Sequence, residues 1–223
     1  MEHQASLDNI KIIVMKQIAL FLMALVMVIC SSCEKDNQII QIQTQNFPNQ
    51  VGDRWIYRLT TDNIDTIKVE IVGQGFLPDG KGAKIWKYTY QYPLHTYIDT
   101  LLVSSIANDV RIYGNTCWTC PNSTPFEVLH YSFPLTIGKL WVSNTSYGDT
   151  TKVLGQVNVS VPAGAFSDVF ELSHFSGGPF NAWTFDTIYF HAQIGLVKQN
   201  QNEYNLGPVI GNGTWELISY KVY

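Results

Sequence analysis

The chain has 223 residues, of which 46% are hydrophobic and 14% are charged, and its formal net charge is -4 at pH 7. This composition is typical of a globular protein with few charged side chains. A mildly acidic chain without a cluster of lysine and arginine offers no electrostatic surface for nucleic acid or for anionic lipid, so we exclude nucleic acid as a partner.

An uncharged apolar segment runs from Ile18 to Ile29, shortly after Met15 and Lys16. It is shorter than the roughly 20 residues that a membrane-spanning helix requires, and its length is that of the apolar region of a secretory signal. We therefore predict that residues 1–32 are a signal peptide. Met15 is an alternative start, because the acidic, mixed segment before it adds nothing that an export signal needs.

Small residues precede Cys33, and the charged stretch Glu34 to Asp36 follows it. This arrangement resembles the lipobox of bacterial lipoproteins, whose signal peptidase cuts before a cysteine that carries a diacylglycerol. The resemblance implies lipidation of Cys33, and the charged stretch is similar to the export tag of some outer-membrane and cell-surface lipoproteins. Because more than one acyl chain gives a stable anchor, the predicted partner is a membrane, reached through the lipid on Cys33. The predicted location is the outer membrane or the cell surface. An ordinary secretory signal with an incidental cysteine is the alternative.

Residues 33–46 are polar and rich in glutamine, which predicts a tether. Ile40 and Ile42 alternate with glutamines in this segment, so a short edge strand is also permitted. Folding then begins at Phe47. The remaining residues, 47–223, are enough for a single domain with a sizeable core.

From Phe47 onwards the apolar residues do not follow a helical repeat over three turns. Short runs rich in Val, Ile, Thr, Tyr, Phe and Trp alternate instead with clusters of Asn, Asp, Gly, Pro and Ser. These runs predict strands near 54–60, 65–73, 84–92, 95–104, 109–113, 126–132, 139–146, 151–161, 168–175, 183–192, 194–199 and 214–222. Because the connections are too short for crossovers, the predicted fold class is all-β and mostly antiparallel, with about 10–12 strands.

The sequence around Phe47 recurs later in the chain. Phe-Pro-x-x-Val-Gly-x-x-Trp begins at Phe47, and Phe-Pro-x-x-Ile-Gly-x-x-Trp begins at Phe133. The economical interpretation is an internal repeat of two β units, 47–132 and 133–223, in which each glycine permits a tight turn and each tryptophan anchors a first hairpin. Chance combined with shared turn chemistry is the alternative.

In the stretch 157–170, valines alternate with polar residues until Pro162-Ala163-Gly164 breaks the run. Together with the motif Gly-Leu-Val-Lys at 195–198 and a closing strand at 215–222, this pattern resembles the C-terminal half of exported bacterial β-domain families of unknown function. The resemblance covers roughly 133–223 and implies an incomplete barrel of the lipoprotein-carrier type. A two-layer sandwich is the alternative architecture.

Cys117 and Cys120 lie in a predicted loop, with Trp118 between them. In an exported protein an even pair of thiols is expected to be oxidised, so we predict a structural disulfide that stabilises the loop by about 2 kcal/mol. A redox pair would need a helix N-terminus, and a zinc site would need two further ligands nearby. Neither is visible, so no metal or other cofactor is predicted.

Four aromatic residues, Trp86, Tyr88, Tyr90 and Tyr92, alternate with polar residues along one predicted strand and therefore share one face. One interpretation is a ligand-binding surface for sugar rings, to which Trp118 would also belong. The other is that these rings face the core, because the opposite face carries Lys, Thr and Gln. General burial preferences favour the core.

Asp-Thr pairs begin at Asp65, Asp99, Asp149 and Asp186. They are similar to the O-glycosylation motif of some Gram-negative exported proteins, and this resemblance implies glycans on threonine. The candidates are Thr66, Thr150 and Thr187, whereas Thr100 is less suitable because its flanks are strand-like. The alternative is that Asp-Thr simply follows a turn into a strand.

His130, His174 and His191 lie in separate predicted strands and are interpreted as packing residues. The chain contains no motif for metal hydrolysis, acyl transfer or nucleotide binding, so no catalytic residue is predicted. We therefore predict a membrane-anchored, non-enzymatic module that binds a hydrophobic or carbohydrate ligand in its barrel. A surface glycan hydrolase with an unassigned carboxylate pair and a structural protein of envelope assembly are the alternatives.

Overall fold

The computed structural model of the protein describes residues 47–60, 65–77, 79–115, 125–144, 148–177, 183–204 and 212–223. The strands are β1 (Arg54–Leu59), β2 (Thr66–Phe76), β3 (Gly82–Gln91), β4 (Thr96–Ile106), β5 (Asp109–Asn115), β6 (Pro125–Ser132), β7 (Leu140–Asn144), β8 (Asp149–Val161), β9 (Gly164–Gly177), β10 (Trp183–His191), β11 (Gly195–Tyr204) and β12 (Gly213–Lys221). Within these ranges no helix has the length and apolar character needed to cross a membrane.

The strands form one antiparallel sheet in the order β6-β5-β4-β3-β2-β1-β12-β11-β10-β9-β8-β7. Consecutive strands pair with each other except β6 and β7, and β1 also pairs with β12, which joins the two ends of the described chain. Only β6 and β7 remain without a shared ladder. The sheet is therefore a nearly closed barrel with one seam, which confirms the predicted all-β, antiparallel, incomplete barrel.

The hairpin of β8 and β9 is longer than the sequence predicted, because β9 begins at Gly164 and not near residue 168. Val161 pairs directly with Gly164 across a tight turn, and the amide of Ala163 in that turn donates to the carbonyl of Leu217 at 3.0 Å. Valines of the hairpin also form a small buried cluster with β11: Val159, Val169 and Val197. The end of the hairpin therefore packs against β11 and β12.

Two larger clusters form the core. One contains Phe47, Val103, Val110, Tyr131, Phe133, Leu135, Trp141, Val153, Phe170, Leu172, Ile188 and Phe190. The other contains Trp55, Tyr57, Leu59, Val69, Ile71, Trp215 and Leu217. Burying each large apolar side chain contributes about 1.5–3 kcal/mol. Since both clusters draw residues from both halves of the chain, the halves share one stabilising core.

The two copies of the repeated motif lead into their first strands through matching contacts. Gly52, with φ of +101°, donates its amide to the carbonyl of Ile71 at 2.9 Å. Gly138, with φ of +86°, donates to the carbonyl of Val153 at 2.9 Å. The tryptophan that follows each glycine is buried. These contacts support the internal repeat, which stays a prediction.

The two ends of the barrel differ. At one end, which we call the terminal end, β1 begins and β12 finishes, and the amide of Tyr223 donates to Oδ1 of Asp53 at 3.0 Å. Phe47 lies here too, with its ring 6.3 Å from that of Phe133 and 6.1 Å from that of Phe190. The opposite end, where β3 finishes and β4 begins, is called the distal end. The chain thus reaches the barrel at its terminal end.

Candidate functional site

A cleft of about 350 Å3 lies inside the barrel at its distal end. Its lining residues come from β1, β2, β3, β11 and β12, and from the turn after β3: Tyr57, Ile67, Val69, Tyr88, Tyr90, Tyr92, Leu196, Gln199, Gln201 and Trp215. The strand register explains this set, because Tyr88 lies opposite the buried Val69 and Tyr90 lies opposite Ile67. Directly paired residues share a face, so the aromatic row of β3 points into the barrel.

A smaller apolar chamber of about 80 Å3 adjoins the cleft on the side of the terminal end. Four residues line both spaces: Tyr57, Val69, Tyr88 and Leu196. The rings of Phe47 and Phe190 close the chamber on its far side. A cavity that holds benzene measures about 150 Å3, so this chamber accepts at most a small apolar group.

The aromatic row is a continuous series of near-parallel rings. The ring centroids are separated by 6.4 Å from Trp86 to Tyr88, 6.3 Å from Tyr88 to Tyr90 and 6.5 Å from Tyr90 to Tyr92. Trp86 and Tyr88 pack against the core clusters, and the Trp86 indole donates to Oδ1 of Asn49 at 2.9 Å. Tyr90 and Tyr92 line the cleft. The row therefore has an inner pair packed on the core and an outer pair at the cleft.

Several polar side-chain groups in the cleft have no hydrogen-bond partner among the described residues. The hydroxyl of Tyr57 donates to the carbonyl of Leu196 at 3.0 Å. In contrast, no described residue forms a hydrogen bond with the hydroxyls of Tyr88, Tyr90 and Tyr92 or with the side-chain amide of Gln201. These groups are therefore available to a bound molecule.

Burial and nearby charge keep these tyrosines protonated. Burial is the main cause that raises the pKa of Tyr90 to about 12, and the carboxylate of Asp99 adds to it. The pKa of Tyr88 is raised further, chiefly by burial, and that of Tyr92 is raised by burial and by Asp65. Their hydroxyls are therefore hydrogen-bond donors at neutral pH.

A polar network occupies another part of the barrel interior. The hydroxyls of Ser143 and Thr151 lie 3.1 Å apart, and that of Thr151 lies 2.9 Å from Nδ1 of His174. Burial, followed by the charge of His174, lowers the pKa of His130 to about 4. The structure therefore brings two of the three scattered histidines into one electrostatic environment. Among the described residues, no group of three His, Cys, Asp or Glu side chains could hold a metal ion.

The network reaches the cleft through one glutamine. His174 lies opposite Asp186 in the ladder of β9 and β10, and Nε2 of Gln199 donates to Oδ2 of Asp186 at 3.1 Å. This bond orients the Gln199 amide in the cleft lining. Sequence reasoning missed Gln199, Gln201 and Trp215, because only the pairing of β1 with β12 places β11 and β12 opposite the tyrosines of β3.

The other predicted sites divide into two groups. Cys33, Cys117, Trp118 and Cys120 lie outside the described residues. The threonines Thr66, Thr150 and Thr187 are described and are half-buried. Asp149 and Asp186, which precede Thr150 and Thr187, are buried, at 7% and 6% exposure. These two aspartates are therefore packed within the fold. Glycosylation of the threonines stays a prediction.

An exposed aromatic cluster, which we call the outer cluster, lies on the outer surface of the barrel. It consists of Phe175, Trp183 and Phe185, exposed by 39%, 41% and 43%. Phe175 pairs with Phe185 across β9 and β10, on the face opposite the buried Asp186. The outer cluster is therefore separated from the cleft by the thickness of the sheet.

No family model matches the chain, and no curated protein matches it. One similar solved structure is a "putative lipoprotein" from Parabacteroides distasonis, with 13% identity over 79% of this chain and 98% of that chain and a TM-score of 0.51. Another is a "putative exported protein with YmcC-like fold" from Bacteroides fragilis, with 12% identity, coverage of 78% and 98%, and a TM-score of 0.48. At this identity the first likeness supports the fold alone.

Proposed function

We propose that this protein is an exported, lipid-anchored binding module that takes up a hydrophobic or carbohydrate ligand in the distal cleft. The observation that carries the proposal is the cleft itself, an interior space whose lining includes the hydroxyls of Tyr88, Tyr90 and Tyr92 and the amide of Gln201, none of which has a hydrogen-bond partner among the described residues. Its volume of about 350 Å3 falls in the range of small-molecule sites. A lining that is mostly apolar, with a few polar groups, is typical of such sites.

The position of the chain's first described residue supports this arrangement. Phe47 lies at the terminal end, so a tether that begins at the lipidated Cys33 would join the barrel there. The cleft lies at the distal end. The first described residue of the barrel therefore lies at the end opposite the cleft.

The two alternatives differ in the support they have. Glycoside hydrolysis requires two carboxyl groups separated by about 5–9.5 Å, but the cleft lining contains neither Asp nor Glu among the described residues. No catalytic residue can therefore be assigned. A structural role in envelope assembly is favoured by one observation, the outer cluster, because exposed aromatic patches mark contact surfaces.

The binding proposal is tested by titrating the protein with the neutral fluorescent probe N-phenyl-1-naphthylamine and with neutral oligosaccharides. We expect saturable binding of at least one of them, weakened at least about tenfold by Tyr90→Ala, because the variant removes a ring from the cleft. The matched control is Phe185→Ala, which removes an exposed ring from the outer cluster and should bind as the wild type does. Equal affinities of the wild type and Tyr90→Ala would contradict the proposal.

The anchor is tested separately by mass spectrometry of the mature protein extracted from membranes. We expect the first residue to be Cys33 carrying a diacylglycerol and a further acyl chain. The variant Cys33→Ser should be released into the soluble fraction, since the acyl chains provide the membrane affinity. An unmodified cysteine at the mature N-terminus would remove the anchor from the proposal and leave the cleft unaffected.

A further inference from the structure

We infer that the ligand of the distal cleft is uncharged and rich in hydroxyl groups, and that the class that fits is a neutral saccharide. The inference rests on the proposed binding function and selects one of the two ligand classes that it allows. Three features of the cleft lead to it: the unpartnered polar groups, the charges around the lining and the small volume of the inner chamber.

The unpartnered polar groups disfavour a purely apolar ligand. The hydroxyls of Tyr88, Tyr90 and Tyr92 and the amide of Gln201 have no hydrogen-bond partner among the described residues. A hydrocarbon in the cleft would displace the water that these groups bind and would replace none of the bonds, which is costly for every group left unsatisfied. A ligand that carries hydroxyl groups replaces those bonds with its own donors and acceptors.

The charges around the cleft disfavour an anion. Among the described residues, the lining contains no Lys, Arg or His that could pair with a carboxylate or phosphate. Instead, negative charge lies nearby. The carboxylate of Asp99 raises the pKa of Tyr88 and Tyr90, and that of Asp65 raises the pKa of Tyr92. The carboxylate of Asp186 accepts a hydrogen bond from Gln199. Like charges repel more strongly where water is excluded. Fatty acids, phospholipid headgroups and uronic acids therefore fit the cleft less well than neutral molecules.

The inner chamber disfavours a long acyl chain. It measures about 80 Å3, which is about half of a cavity that holds benzene, and the rings of Phe47 and Phe190 close its far side. In the described part of the chain, an acyl chain that entered the cleft would find only this small apolar space beside it. A ring-shaped ligand of limited length fits the larger cleft, with its C–H face on the aromatic side chains and its hydroxyls at the tyrosine and glutamine groups.

The test compares four kinds of probe on the intact mature domain by isothermal titration calorimetry and saturation-transfer NMR. The probes are neutral mono- and disaccharides of glucose, galactose, mannose and N-acetylglucosamine, then glucuronic acid, decanoate and N-phenyl-1-naphthylamine. We expect at least one neutral saccharide to bind, and glucuronic acid and decanoate to bind at least about tenfold more weakly.

Two variants assign the binding to the polar groups. Tyr90→Phe keeps the ring and removes its hydroxyl, and Gln201→Leu keeps the approximate shape and removes the amide. We expect each to weaken saccharide binding about fivefold to thirtyfold, in line with one lost hydrogen bond. The control Tyr220→Phe removes a hydroxyl from an exposed tyrosine of β12 outside the cleft lining and should change nothing.

Each outcome is decisive. Suppose that no saccharide binds, and that the apolar probe binds to the wild type but more weakly to Tyr90→Ala. The saccharide inference is then overturned and the proposed binding function stands. If a saccharide binds equally well to the wild type and to both polar variants, the inference is also overturned. If none of the four kinds of probe binds, the inference and the binding function fail together.

Discussion

Asp53 is a buried carboxylate that fixes both ends of the described chain. Its Oδ2 accepts from the amide of Gln50 at 2.8 Å, and its Oδ1 accepts from the amide of Tyr223 at 3.0 Å. The residue is only 1% exposed. Hydrogen bonds to a charged acceptor are stronger than neutral ones, so this side chain stabilises the terminal end, where β1 begins and β12 finishes.

We predict that Asp53→Ala lowers the free energy of unfolding by about 2 kcal/mol, because two part-buried amides lose a charged acceptor. Urea denaturation followed by tryptophan fluorescence measures the change. The control is Asp79→Ala, whose carboxylate is exposed and pairs with Lys81 on the surface, and it should change the stability little. A loss for Asp53→Ala no larger than that of the control would show that the two bonds are not formed in solution.

His130 makes the stability of the barrel depend on pH. Burial and His174 lower its pKa to about 4, and burial also lowers the pKa of His174. The folded protein therefore holds the His130 imidazole neutral to about pH 4, whereas in the unfolded chain it takes up a proton near pH 6.5. The stabilising effect of the neutral His130 is complete above about pH 6.5 and is lost as the pH falls towards 4.

We expect His130→Gln to reduce the loss of unfolding free energy between pH 7 and pH 4 by up to about 3 kcal/mol, since one pKa unit corresponds to about 1.4 kcal/mol. Chemical denaturation at several pH values gives this difference directly. Aspartates and glutamates titrate in the same interval, so the comparison is made against His95→Gln, which removes an exposed histidine. Parallel stability curves for the wild type and His130→Gln would contradict a buried neutral imidazole.

At the scale of elements, the turns that lead into β1 and β7 have the same backbone conformation and different surroundings. Both glycines have positive φ, +101° at Gly52 and +86° at Gly138, which is unfavourable for any residue with a Cβ atom. A Cβ at Gly138 would meet nothing within 4 Å, whereas a Cβ at Gly52 would lie 3.1 Å from the ring of Tyr223. The two positions therefore separate backbone strain from crowding.

We predict that Gly138→Ala costs about 1 kcal/mol of stability from backbone strain alone, and that Gly52→Ala costs more because the ring of Tyr223 must also move. The double variant Gly52→Ala with Tyr223→Ala should bring the cost back towards that of Gly138→Ala, after correction for Tyr223→Ala alone. Equal costs for the two single variants would argue against the close approach of Tyr223.

The strands were predictable from the sequence because alternation and turn residues are local signals. The extra length of β9 was not, since Gly164 to Ser167 carry few apolar residues and extend the hairpin only because its end packs on β11 and β12. The cleft was half predictable. The alternation in β3 placed the tyrosines on one face, but Gln199 and Gln201 lie in a polar run of β11 that is brought to the same cleft only by the pairing of β1 with β12.

At the scale of the whole molecule, the barrel is closed where the described chain starts and finishes and open in the middle of the sequence. Six pairs of residues join β1 to β12, whereas β6 and β7 share no ladder and stand at the two edges of the sheet. The short segment between β6 and β7 is held at the terminal end, where Nζ of Lys139 donates to the carbonyls of Ser132 and Pro134 at 2.7 and 3.1 Å. The chain therefore connects the two edges of the seam at the terminal end.

This asymmetry predicts where the barrel opens first. A strand with a ladder on one side only can lose its backbone hydrogen bonds without disturbing a second neighbour, so its opening free energy is lower than that of a strand paired on both sides. We expect native-state hydrogen exchange to give lower opening free energies for amides of β6 and β7 than for those of β1 and β12. The core residue Tyr131 of β6 is buried, so its amide provides the strictest comparison. If amides on both sides of the seam exchange only through global unfolding, β6 and β7 must be joined in solution by backbone hydrogen bonds that they do not share in this structure.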